Sequence, residues 1–145
     1  MMNKRNWSTL KKDDRLYLLV PYKDEANKIS YRYEESHVIN VHEYACGTNI
    51  RFKYTNNDGK RQRVELRVNK LKYDNLTVSA TKETGWARDN DFKFGDILVS
   101  FNKYNLEVIL KSIIENTIKI EEEKIREMKS FIKHLQELYD NIKIN

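Results

Sequence analysis

The sequence predicts an α+β protein: a small antiparallel β-barrel or half-barrel of about six strands, followed by a long C-terminal helix or helical hairpin. Short runs of alternating apolar and polar residues recur at roughly ten-residue spacing from residue 15 to residue 101, with no helical run between them. From Asn102 the apolar period changes from two to about 3.5, and no Gly or Pro follows. These boundaries divide the chain into an N-terminal segment (1–14), a β-domain (15–101) and a C-terminal helix (102–145).

The first strand, 15-RLYLLVPY-22, contains Pro21, which suits an edge or a strand end because proline donates no ladder bond. A polar turn over 22–27 leads to two further strands, 28-KISYRY-33 and 36-SHVINVHEYA-45, with Glu34-Glu35 at a turn between them and Cys46-Gly47 at the next. In the hairpin 48-TNIRFKYTNNDGKRQRVELRVNK-70, Ile50, Phe52, Tyr54, Val64, Leu66 and Val68 alternate with Arg51, Lys53, Arg61, Arg63 and Arg67. A two-residue Asp58-Gly59 turn would set Tyr54 opposite Arg63 and mix the two faces. A three-residue loop, Asn57-Asp58-Gly59, sets Phe52 opposite Val64 and Ile50 opposite Leu66, with Gly59 left-handed in a bulge. The second register keeps the faces pure. It also sets Lys53 against Arg63.

Residues 73-YDNLTVSA-80 and 97-ILVSF-101 complete the strands, separated by the irregular stretch 81–96. Asn102 is a suitable N-cap. Beyond it, Leu106, Leu110, Ile113, Thr117 and Ile120 form one apolar run. Ile125, Met128, Ile132, Leu135, Tyr139 and Ile142 form a second, out of phase across 121-EEEK-124. A stutter or a break between two helices would reconcile the runs. A 40-residue helix is about 60 Å long, more than the β-domain can cover, so it projects, folds back or pairs with another chain. Ile125, Met128, Ile132, Leu135, Tyr139 and Ile142 are the expected oligomer seam.

Composition narrows the function. The chain has 145 residues, 34% of them charged, and no apolar run long enough to span a membrane. Its first residues, MMNKRNWSTLKKDD, lack the apolar centre of a secretory signal, and one cysteine, Cys46, cannot form an internal disulfide; a cytoplasmic location is the expectation. The net charge is +5, yet residues 102–145 hold eight basic and eight acidic residues. Residues 51–72 alone hold eight basic and two acidic. The imbalance lies in the hairpin.

That face reads either as a solvated strand surface kept soluble by charge or as a site for phosphate or an acidic protein surface. Because Phe52 and Tyr54 fall on the core side, backbone contact is favoured over base stacking. Trp86 and Arg88, in the irregular stretch, are candidate contact anchors; the other role for Trp86 is to plug the end of the domain. No Gly-rich phosphate loop, nucleophile elbow or HExxH is present, and His37, His42, His134 and Cys46 have no metal-ligand spacing. No catalytic residue, metal or cofactor is expected.

The run 94-FGDILVSFNKYNLEVILKSI-113 resembles, in layout, small uncharacterised phage and mobile-element proteins in which a small β-barrel ends in a Lys/Glu-rich helix. That resemblance covers about a third of the chain and carries no functional residues across. It implies a viral or mobile-element origin and a binding role, in a group that includes inhibitors of host defence nucleases of the anti-CRISPR type. Taken together, the expectation is a non-enzymatic binder of nucleic acid or a nucleoprotein complex, working through Arg51, Lys53, Arg61, Arg63, Arg67, Trp86 and Arg88. The alternative is a structural or assembly protein that oligomerises through its helix.

Overall fold

The computed structural model describes residues 7–56, 58–69, 77–80, 87–88 and 91–142. A 3-10 turn, Trp7–Thr9, precedes seven strands: β1 (Arg15–Lys23), β2 (Ile29–His37), β3 (Asn40–Tyr44), β4 (Gly47–Thr55), β5 (Arg61–Asn69), β6 (Thr77–Ala80) and β7 (Ile97–Ser100). One helix, α1 (Lys103–Asn141), follows. The fold is α+β as the sequence predicts, with seven strands among the described residues where about six are expected. They form two antiparallel sheets, β2-β1-β7-β6 and β3-β4-β5, and no closed barrel is formed among the described residues.

The inner faces of the two sheets share one core. Leu16, Leu18, Val20, Val78, Ile97 and Val99 from the first sheet meet Ile50, Phe52, Tyr54, Leu66 and Val68 from the second. Trp7 and Leu10, upstream of the 15–101 span, belong to this core, and Trp7 packs on Phe101 with ring centroids 4.2 Å apart. A second, smaller core lies on the other side of the first sheet, where Leu19 and Leu98 meet Leu106 and Ile113 of α1. β1 and β7 are therefore covered on both faces, which is why their sequences are continuous apolar runs. β4 and β5 are covered on one face only, and so they alternate. Pro21 is accommodated because β7 pairs only with Tyr17–Leu19, leaving β1 without a ladder partner on that side at Pro21.

One expected turn and one expected strand are replaced by a different construction. Glu34 and Glu35 lie inside β2, paired with β1, rather than in a turn. The expected 36–45 strand divides at Val38-Ile39, where the chain leaves one sheet and enters the other. Val38 is fully buried there, and its N–H and carbonyl bond Asp14 O (2.9 Å) and Asp13 N (2.8 Å). Polar side chains of β2 and one backbone bond from the corner itself then latch this end of the first sheet to β4. Ser36 Oγ donates to Lys53 O (2.7 Å), Ile39 N to Arg51 O (2.7 Å), and Thr55 N to the Glu34 carboxylate (3.0 Å). At the far edge, Ala87 N donates to Arg67 O, and Arg88 exchanges two backbone bonds with Ser79.

α1 is one continuous helix, so the break considered near 115–124 does not occur. Asn102 caps it, accepting from Tyr104 N (2.9 Å) and Asn105 N (3.4 Å). The two apolar runs reconcile as a stutter. At about 3.6 residues per turn, positions 106, 110, 113, 117, 120, 124, 128, 131, 135, 138 and 142 lie on one line along the helix. Only the first part of that line is covered; from Ile118 onward every side chain of α1 is exposed. Among the described residues no helix is long and apolar enough to cross a membrane.

Candidate functional site

The β4–β5 ladder has the register the sequence predicts, with Phe52 opposite Val64, Lys53 opposite Arg63 and Thr55 opposite Arg61. Asn56 N donates to Lys60 O (2.8 Å) and Gly59 N to Asn56 O (3.0 Å), with Gly59 at φ +77°. These bonds define the three-residue loop with its left-handed third residue; Asn57 lies outside the described residues. The alternation therefore sorts as expected. Apolar side chains enter the core, and Arg51, Lys53, Arg61, Arg63 and Arg67 lie on the open face.

Two of the five cations are partly neutralised. Arg51 Nε lies 3.8 Å from Glu65, whose other oxygen accepts from Asn49 Nδ2 at 2.7 Å. Arg61 lies 3.8 Å from Glu34. No carboxylate of the described residues is within ion-pair distance of Lys53, Arg63 or Arg67. Lys53, Arg61 and Arg63 instead converge, with His37, on a depression of about 310 Å³ floored by Ser36 and Ile39. The corner between the sheets makes this recess, because it brings the end of β2 beside β4.

Glu34 lies beside the recess, ion-paired to Arg61, one of the residues that line it. Burial alone would raise its carboxyl, but the Thr55 N–H, the Thr55 hydroxyl (2.8 Å) and Arg32 (3.1 Å) outweigh that and hold it below the usual carboxylate value. It stays charged and holds Arg61 at the rim.

An aromatic element shares the face and was not among the expected site residues. β3 pairs His42 with Asn49 and Asn40 with Arg51, so Asn40, His42 and Tyr44 point the same way as the arginines. His42 and Tyr44 pack with ring centroids 4.4 Å apart, and Tyr44 is 49% exposed. Tyr44 and Arg67 together border a second depression of about 300 Å³. The alternation in 36–45 held the signal; which hairpin it joined did not show locally.

Arg88 is exposed at the edge of β6, away from the recess-forming strands except through the Ala87–Arg67 bond. Trp86 lies outside the described residues. Of the six expected seam residues, Ile125, Met128, Ile132, Leu135 and Tyr139 are on the projecting part of α1 and Ile142 is its C-cap; all are 46–79% exposed. Among the described residues no three His, Cys, Asp or Glu side chains are grouped to hold a metal ion. Compared with known proteins, the chain matches no family model, no curated protein and no solved structure.

Proposed function

We propose that this chain is a non-enzymatic binder of nucleic acid, alone or within a nucleoprotein complex, and that the open face of β4–β5 is its docking surface. The observation that carries the reading is the recess where Lys53, Arg61 and Arg63 converge, two of them with no carboxylate partner among the described residues. Cations held by a rigid ladder meet a phosphate without first ordering a loop. The exposed Tyr44–His42 pair beside Arg67 supplies a stacking surface next to that charge, an arrangement suited to single-stranded segments with accessible bases. In a host-defence setting, an inhibitor of this kind would engage the guide or target strand rather than the protein channel, since such channels are themselves basic.

The test is binding of a single-stranded oligonucleotide by fluorescence anisotropy across a salt series. Wild type should bind with an affinity that falls steeply with salt. Changing Lys53, Arg63 and Arg67 together to Glu should weaken binding by about 100-fold or more at low salt. The melting temperature should change little, because the like-charged pair across the ladder at Lys53 and Arg63 becomes a pair of carboxylates with a similarly small repulsion. If the triple variant binds as wild type does, the charge serves solubility alone.

A further inference from the structure

We infer that α1 pairs with α1 of a second copy, antiparallel, along residues 118–142. Ten large hydrophobic side chains between Ile118 and Ile142 are 46–79% exposed. Covering them would bury on the order of 800 Å² per copy, which is what one partner contributes to a stable interface. The occupant's direction follows from where the sandwich sits. The line of Met128, Phe131, Leu135 and Ile142 continues the line of Leu106 and Ile113, which the first sheet covers. The face open downstream is thus the face occupied upstream.

A parallel partner in register would bring its own sandwich into the space the first sandwich fills. An antiparallel partner ends where the first sandwich begins, and each copy's Ile142 then lies beside the other's Ile118. The polar interruption in the stripe also finds complements this way. Glu121 and Lys124, ion-paired at 3.2 Å, come level with Tyr139 and Gln136 of the second copy, so a hydroxyl and an amide meet the two charges rather than an apolar layer. The arrangement has two-fold symmetry and is closed. Its flanks set Glu123 near Glu137 of the other copy, so salt does not weaken the pair.

The experiment uses the full chain with Cys46→Ser and Asn141→Cys, spin-labelled at the single thiol. Sedimentation at about 50 μM, within the range of ordinary weak interfaces, should show a dimer that persists at high salt. The two labels should lie about 35 Å apart, from the 1.5 Å rise per residue. Ile132→Asp with Leu135→Asp should give a monomer with the sheet's circular-dichroism signal intact. A wild-type monomer at that concentration, labels within about 20 Å of each other as a parallel pair requires, or a dimer that survives the double substitution would each overturn the inference.

Discussion

Asn27 and Gly59 occupy equivalent places in two different hairpins. In the first, Asp24 N donates to Lys28 O, Asn27 N to Asp24 O, and Lys28 N to Asp24 Oδ1; in the second, Asn56, Gly59 and Lys60 make the same three bonds. Asn27 has φ +61° and Gly59 φ +77°. An Asx side chain at the first position thus caps the loop, and a left-handed residue three positions on closes it. A Cβ added at Gly59 would meet nothing within 4 Å, so any cost of substitution there is one of backbone conformation. Gly59→Val should therefore lose about 1–2 kcal/mol, since a β-branched residue resists positive φ. Gly59→Asn should lose only a few tenths, because asparagine already serves at this place in the other hairpin. Urea denaturation of the two variants checks the ranking, and equal losses would mean that packing rather than φ governs the loop.

At the scale of elements, the two sheets are joined by side chains more than by ladders, and Glu34 is the main latch. It binds Thr55 through both backbone and hydroxyl, and it neutralises Arg32, whose Nη2 is buried without a partner among the described residues. Glu34→Gln should lose about 1.5–3 kcal/mol at neutral pH, the range for hydrogen bonds to a charged group. Because its carboxyl is held below its ordinary value of 4.5, the folded state binds the proton less readily than the unfolded state. The contribution is thus complete above pH 4.5 and disappears as the pH falls through the depressed folded value. Denaturation of wild type and variant at stepwise lower pH should show the two curves converging; a gap that stays constant would place the stabilisation elsewhere. This latch also marks where the sequence stopped being legible. The hairpin register, the N-cap and the change of period at Asn102 are local signals, and each is read from a few adjacent residues. The β2–β4 seam links residues some twenty positions apart through single side chains, and nothing local announces it. For the same reason the recess and Tyr44's membership of the basic face were out of reach, although the five hairpin cations were not. Trp7 sits in a polar stretch with no periodic neighbours, so its place in the core left no pattern to read.

At the scale of the whole molecule, the basic face and the projecting helix lie on different layers. The first sheet separates them: α1 starts against its outer side, and β3-β4-β5 packs against its inner side with the cations turned outward. Pairing through residues 118–142 would leave both basic faces open and set one sandwich at each end of a stem about 37 Å long. Two sites on one rigid body bind a long polyanion as a linked pair, at an effective concentration set by the strand between them. A strand too short to reach both sandwiches gains nothing. The consequence is measurable with two oligonucleotides of the same composition, about 10 and about 60 nucleotides long. Wild type should prefer the longer by a factor about ten-fold or more beyond the number of sites it offers. The Ile132→Asp, Leu135→Asp variant should bind the short strand as wild type does, because neither residue is near the recess, and should lose the extra preference for the long one. The Lys53, Arg63, Arg67 charge reversal should lose both. A double variant that keeps the full long-strand preference would show that the two faces act independently, and that the helix serves some purpose other than bringing two of them to one strand.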